Sequence, residues 1–371
     1  MVYLVNEYYL PNSAEFNRMM SFVKGFKEEG VAVKVVYIVE PEDLSSLPGD
    51  TIILNHKGTG IIGKIQNITK TNAFIKSLND GDSVIFLTTT WCMLYPLLKR
   101  SYKKKGIKLY HEQTEYPPVL RQDNSLNRFL YRLYYRACLY LDGLFVISES
   151  LKDLFVSKGI HPSKIFIVNI TVDPSRFENL KKGECTDYVA YCGTVSIGKD
   201  GVSDLINAYY RVAKLFPTVK LYIIGRCNNK EDAECIQALI KELDLLDSIV
   251  LTGMVHYTEM PQLLFNAKAL LLSRPDNVQA KYGFPTKLGE YLLTGNPVVV
   301  TKVGDIPLFL REGVDAYIVA PGNYVEFADS IIRILSNPEE ARRIGESGKK
   351  VAQMCFNYKT EASKIIEALR I

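Results

Sequence analysis

The sequence has no run of eighteen apolar residues, no C-x-x-C pair, and only four histidines and one tryptophan. The first absence removes a membrane-spanning helix from the expectations for this chain. The second removes the common zinc frameworks. The seven scattered cysteines, at 92, 138, 185, 192, 227, 235 and 355, point to reduced thiols in a cytoplasmic protein rather than a disulfide scaffold. An excess of one charge is also missing: 45 basic against 41 acidic residues leaves a net +4 over 371 residues, so no nucleic-acid partner is expected. The opening MVYLVNEYYL carries neither a basic region nor a cleavage site and enters a strand directly, which favours an unsecreted chain.

What is present is alternation. VYLV, VAVKVVYIV, TIIL, SVIFLT, IKLYH, GLFVIS and KIFIV read as β-rich runs separated by helical patterns, the signature of a parallel sheet covered on both faces. After Asp173 the stretch PSRFENLKKGECTD loses periodicity and reads as a linker. The pattern then restarts with DYVAYCG, VKLYIIG, IVLTG, ALLLS and NPVVV, and ends in helical stretches over 322–336, 338–354 and 358–370. The expectation is an α/β chain of two Rossmann-like, doubly wound domains facing across a cleft. Residues 1–180 would form the first, 181–354 the second, and 355–371 a helix packing back on the first. In such sheets ligands sit outside the carboxyl ends of the strands, so the motifs there carry the chemistry.

In KYGFPTKLGEYLLTGNPVVV, Pro285 suits the first helical position, Leu288, Tyr291 and Leu292 make one apolar face, and Gly295 can end the helix. The N–H groups of Phe284, Thr286 and Lys287 would then meet an anion at the positive end of the helix, with Gly283 allowing close approach. Glu290 lies about one and a half turns further in, where a ribose attached to a diphosphate would reach. The plain alternative is a solvated glutamate on a packing helix. In YCGTVSIGKDG, a strand ends at Gly193 and Lys199 precedes a helix, a phosphate-binding arrangement unless the lysine is simply a surface one. YIIGR and LTGMVHYTEMP put Arg226, Gly253, Met254 and Val255 after strands, where a base can lie on exposed backbone; tight turns that need glycine explain them equally well. His111 ends the strand of IKLYHEQTEYP, either as a structural histidine or as a site residue, and Glu112 and Glu115 beside it raise only a weak case for hydrolysis.

Three further features compete. GTGIIG at 58–63, with Asp80 about twenty residues on, fits the dinucleotide fingerprint and makes an oxidoreductase using NAD(P) the alternative enzyme. It follows the third strand instead of the first, which counts against it. Asp80-Gly81-Asp82 has the form of a D-x-D metal triplet but precedes its strand, as an Asp-Gly turn does. LNRFLYRLYYRACLYLDG spaces Arg128, Arg132 and Arg136 by four, giving either a solvated stripe or a surface for anionic lipid headgroups, aided by KRSYKKK at 99–105.

The combination resembles the retaining glycosyltransferases of GT-B fold, the group 1 type also called family 4, over nearly the whole chain. DGLFVISESLKDLF with KIFIVNITVDPSRF is similar to the family's segment closing the first domain, YCGTVSIGKDGVSDLINAY to its phosphate-binding entry, and YGFPTKLGEYLLTGNPVVV to its E-x7-E donor region. The resemblance implies a metal-independent transfer of sugar from a nucleotide sugar, such as a UDP-sugar, to a glycan or lipid-linked acceptor in surface polysaccharide or glycoconjugate biosynthesis. The nucleotide sugar is substrate and no cofactor is implied. Glu290 would hold the ribose, Lys199 the phosphates, and His111 would lie near the donor sugar. Two positions depart from the pattern. Tyr282 stands at the usual first glutamate, and Thr194 where many members have an arginine, with Lys287, Arg226 and Arg274 as the available cations. A non-catalytic nucleotide- or glycan-binding protein is the alternative outside catalysis.

Overall fold

The computed structural model describes residues 1–370 other than 12, 42–43, 45–46, 57–59, 101, 118–123, 184–186 and 228. The chain divides into two compact units, Met1–Asn169 with Tyr358–Ile371, and Ile170–Asn357.

The first unit is a seven-stranded sheet of β1 (Val2–Asn6), β2 (Val33–Val39), β3 (Thr51–Asn55), β4 (Ser83–Phe86), β5 (Lys108–Gln113), β6 (Gly143–Val146) and β7 (Ile165–Ile167). Their order is β3-β2-β1-β4-β5-β6-β7, with every pairing parallel. Its helices are α1 (Ala14–Glu28), α2 (Gly60–Ser77), α3 (Trp91–Lys99), α4 (Ser125–Cys138) and α5 (Glu149–Ser157). The apolar runs seen in the sequence are buried because helices cover them. Phe22 and Phe26 of α1 pack with Val2, Leu4, Val35 and Tyr37 in one hydrophobic cluster.

The second unit repeats the plan with β8 (Tyr188–Cys192), α6 (Ile197–Asp200), α7 (Val202–Leu215), β9 (Lys220–Ile224), α8 (Lys230–Glu242), β10 (Ile249–Gly253) and α9 (Met260–Asn266). It continues with β11 (Leu270–Leu272), α10 (Val278–Tyr282), α11 (Thr286–Leu293), β12 (Val298–Thr301), α12 (Ile306–Phe309), β13 (Tyr317–Val319), α13 (Tyr324–Ser336) and α14 (Pro338–Cys355). The strand order is β10-β9-β8-β11-β12-β13, again parallel. α15 (Tyr358–Leu369) closes the chain and belongs to the first unit, where Ala362, Ile365 and Leu369 join the cluster under α1.

Each sheet starts in its middle and reverses direction beside its first strand, between β1 and β4 and between β8 and β11. Ligand crevices open outside the carboxyl ends of strands at such reversals. This geometry counts against the dinucleotide fingerprint: β3, which precedes GTGIIG, is an edge strand and lies two strands from the reversal. Gly58 and Thr59 themselves lie outside the described residues. The Asp80–Asp82 triplet is a turn, with Asp82 Oδ2 accepting the Asn79 N–H at 2.9 Å just ahead of β4. Glu112 is no hydrolytic acid in this structure. It is buried and paired with Arg18 at 2.8 Å, and Arg18 also donates to the Val168 carbonyl.

The domain limits differ from expectation, since the units divide at 169/170 and 357/358 instead of 180/181 and 354/355. PSRF is no linker. It forms a short helical turn, Pro174–Phe177, within the second unit, capped by Asp173 and seated by buried Phe177. Among the described residues no helix is long and apolar enough to cross a membrane.

Candidate active site

At the carboxyl end of β8 the chain turns at Gly193, whose φ of +154° is one that side chains with a Cβ rarely adopt. Close approach reinforces the requirement. Gly225, at the end of β9, would drive a Cβ to 1.9 Å from the Gly193 carbonyl oxygen. The two glycines therefore let neighbouring strand ends come together at the crevice. Lys287, in the first turn of α11, reaches into the same place. Its ammonium donates to Tyr191 Oη at 3.0 Å and Asp200 Oδ1 at 3.1 Å.

This is an inward-facing cation site. The Lys287 side chain is 18% exposed and that of Asp200 3%. Burial holds the Lys287 pKa below the ordinary lysine value, the Asp200 carboxylate pulls it back up, and the nearby Arg274 guanidinium lowers it further. Tyr191 is held in turn by donation to the Thr194 carbonyl at 2.5 Å, and burial pushes its phenol far above its usual range. Asp200 Oδ2 is buried with no hydrogen-bond partner among the described residues. A buried carboxylate with one bonded oxygen is costly unless a cation stays beside it, so Asp200 and Lys287 depend on each other.

α11 is fastened to β8 by Tyr291, whose hydroxyl accepts the Cys192 N–H at 2.6 Å and donates to the Cys192 carbonyl at 3.1 Å. Its other face is close-packed, because a Cβ on Gly289 would meet Val172 Cγ1 at 2.5 Å. The helix begins one residue later than the sequence suggests. Pro285 is extended, with ψ of 106°, and its carbonyl accepts the Leu288 N–H, so Thr286 is the first helical residue. Gly295 ends the helix in the left-handed region as expected.

The other site residues from the sequence fall around this centre. Glu290 lies one turn beyond Lys287 and forms an ion pair with Arg176. The Arg176 guanidinium stacks 4.0 Å over the Tyr257 ring, in the loop after β10 that also carries Met254 and Val255. Met254 is 69% exposed and Val255 half-buried, so that loop offers an open apolar surface. Lys199 is half-buried in the single turn α6, capped by Ser196, whose Oγ accepts the Lys199 N–H at 3.2 Å. Arg226 is exposed after β9, and its carbonyl accepts the Val195 N–H. Thr286 is exposed and Tyr282 half-buried, with Lys281 5.4 Å from its ring centroid.

Two assignments change character. Gly283 is extended and its N–H donates to the Gln279 carbonyl, closing α10. Phe284 points its ring into an aromatic trio with Phe309 and Phe356, so only its backbone can serve a ligand. Sequence reasoning missed Arg176, which stood in the presumed linker, and Asp200 and Tyr191, whose significance depends on which strand end Lys287 reaches.

His111 belongs to the first unit. It is buried within β5, which runs on to Gln113 instead of ending at His111, with Nδ1 2.9 Å from the Phe86 carbonyl and Nε2 3.2 Å from both Gln113 Oε1 and Tyr134 Oη. The carbonyl can only accept, so the Nδ1–H tautomer follows. Burial lowers the ring's pKa to about 4, which leaves it neutral at pH 7.

The family model described as glycosyl transferases group 1 matches residues 174–351, almost all of the second unit. The MMP alpha-(1->4)-mannosyltransferase of Mycolicibacterium hassiacum is 24% identical over 224 residues, covering 60% of this chain and 52% of that protein. The match thus spans about half the length of that curated relative. Among solved structures, Anabaena HepE in complex with UDP has a TM-score of 0.78 at 16% identity, covering 100% of this chain and 99% of the other. Sucrose-phosphate synthase from Thermosynechococcus elongatus reaches 0.79 at 16% identity, covering 100% and 98%. The fold is therefore the pair of parallel-sheet Rossmann-like domains seen in GT-B glycosyltransferase structures. Over residues 174–351 the second unit is thus similar to the glycosyl transferases group 1 family.

Proposed function

We propose that the protein is a retaining, metal-independent glycosyltransferase that moves a sugar from a nucleotide sugar to a glycan or lipid-linked acceptor in surface polysaccharide or glycoconjugate biosynthesis. The observation that carries the reading is the Lys287 ammonium, held by Asp200 and Tyr191 beside Gly193 where the second sheet reverses. A diphosphate placed there meets a desolvated cation and the N-terminal end of α11 together. Lys199 supplies a second positive charge, and Glu290 takes the ribose.

As the bond between the sugar's anomeric carbon and the diphosphate breaks, negative charge grows on the leaving oxygen. Lys199, Lys287 and the amides at the start of α11 stabilise it electrostatically. The acceptor hydroxyl bonds to the anomeric carbon from the same face and its proton passes to the departing phosphate. His111 stays buried and neutral in the first unit, with Nδ1 on the Phe86 carbonyl and Nε2 beside Gln113 and Tyr134, so the proposed donor contacts come from the second unit. UDP and its sugars are the first donors to try, HepE having been solved with both UDP and UDP-glucose. Cytoplasmic action at a membrane surface fits the exposed Arg128, Arg132 and Arg136 on α4, with exposed Leu126 and Phe129 beside them.

The test is a donor screen followed by kinetics on two variants. Lys199→Ala should lower kcat by about 10²-fold, an electrostatic loss of roughly 3 kcal/mol, with a smaller loss of donor affinity. Glu290→Gln should chiefly raise the donor KM, because the ribose does not change during transfer. Wild-type kinetics in both variants would overturn the site.

A further inference from the structure

We propose that Arg176 is a positioning residue for nucleotide recognition: it fixes the Glu290 carboxylate relative to the loop after β10 and keeps one carboxylate oxygen for the ribose. The proposal rests on the reading of Glu290 as the ribose-binding group and extends it to a residue with no ligand role assigned from the sequence.

One guanidinium joins three separate stretches of chain. Arg176 itself sits in the Pro174–Phe177 turn, where the Ser175 N–H and hydroxyl both bond to Asp173 Oδ1, at 3.0 and 2.7 Å. Its Nη1 donates to Glu290 Oε1 on α11. Its Nη2 reaches the Tyr257 carbonyl at 3.4 Å while its plane covers the Tyr257 ring. Only a planar fork can bond a carboxylate, reach a carbonyl and stack at once; an ammonium of similar reach cannot.

The pair is sheltered, with 17% of the Arg176 side chain and 29% of that of Glu290 exposed, so solvent screens it less than a surface pair. Two consequences follow for a ribonucleoside diphosphate. Binding Arg176 through Oε1 orients the carboxylate and leaves Oε2 to accept from a ribose hydroxyl. The guanidinium also offsets the carboxylate's charge, which would otherwise repel the diphosphate. Since ribose is gripped equally before and during transfer, Arg176 should act on affinity and on the choice of sugar in the nucleotide, leaving turnover nearly untouched.

The experiment measures binding of UDP, GDP and ADP by calorimetry, then of the 2′-deoxy form of whichever binds most tightly. Arg176→Ala should weaken the ribonucleotide by roughly tenfold and narrow its preference over the deoxy form, with kcat changed less than twofold. Arg176→Lys should fall between, and Arg176→Ala should add little to Glu290→Gln in the double variant. Melting curves establish that each variant folds; if Arg176→Ala does not, Arg176→Lys and Arg176→Gln carry the comparison. If Glu290→Gln loses affinity and ribose preference while folded Arg176 variants keep both, the role of Arg176 is overturned and that of Glu290 stands. If Glu290→Gln also keeps both, or no nucleotide binds, the two fall together.

Discussion

Gly193 and Lys287 compete for one small volume: a Cβ on Gly193 would lie 2.0 Å from Lys287 Nζ and 2.6 Å from its Cε. Gly193→Ala should therefore expel the ammonium as well as strain a backbone with φ of +154°. Transfer rate should fall about 10²-fold, while the strain costs on the order of 1–3 kcal/mol of stability. Steady-state kinetics and thermal unfolding separate the two losses, and an alanine variant with full activity would remove Lys287 from the phosphate site.

Asp200 keeps Lys287 charged. Burial favours the neutral amine and the Asp200 carboxylate opposes it, while Arg274 sides with burial; Tyr191 and Cys192 titrate far above neutrality. In Asp200→Asn the lysine pKa should drop, so affinity for UDP should begin to fall at a lower pH than in the wild type. Calorimetric titrations across the alkaline range test this, and superimposable pH profiles would refute it.

His111 predicts an acid-side effect on stability. A folded-state pKa of about 4 against an ordinary value near 6.5 means that the unfolded chain binds the extra proton first. Stability should therefore decline as pH falls from about 6.5 towards 4, by roughly 3 kcal/mol at most from this residue. His111→Gln should flatten the denaturation midpoint over that window, and an unchanged slope would contradict the assignment.

The arginines of α4 predict weak binding to vesicles. Arg128, Arg132 and Arg136 are all exposed, as are Leu126 and Phe129. Binding to anionic vesicles should fade as salt rises and vanish when the three arginines become glutamine. Equal binding to neutral vesicles would remove the electrostatic basis.

Much of the fold was legible because both sheets are buried on two faces, which makes their strands continuous apolar runs. All seven strands of the first unit stood out this way, as did α13, α14 and α15. β13 did not. Its three residues in DAYIVAPG sit at a sheet edge, too short to show a period. Gly193 and Glu290 announced themselves through local chemistry: a glycine after a strand and a carboxylate a fixed distance into a helix. Arg176 and Asp200 could not, because what they do depends on partners 114 and 87 residues away. Lys199 was visible from its place before a helix, whereas the depth of Lys287 became evident only once α11 lay against β8.

The helix α15 adds a constraint in time. The chain leaves the first unit at 169/170 and returns to it only at 357/358. Gly25 of α1 sits so close to α15 that a Cβ there would be 2.4 Å from that of Ala362. On a ribosome, the earlier-emerging of the two units is therefore the one that cannot finish folding first. Its apolar seam beside Phe22 and Phe26 stays open until the whole of 170–357 and then α15 have been made, long enough at typical synthesis rates for chaperones to matter.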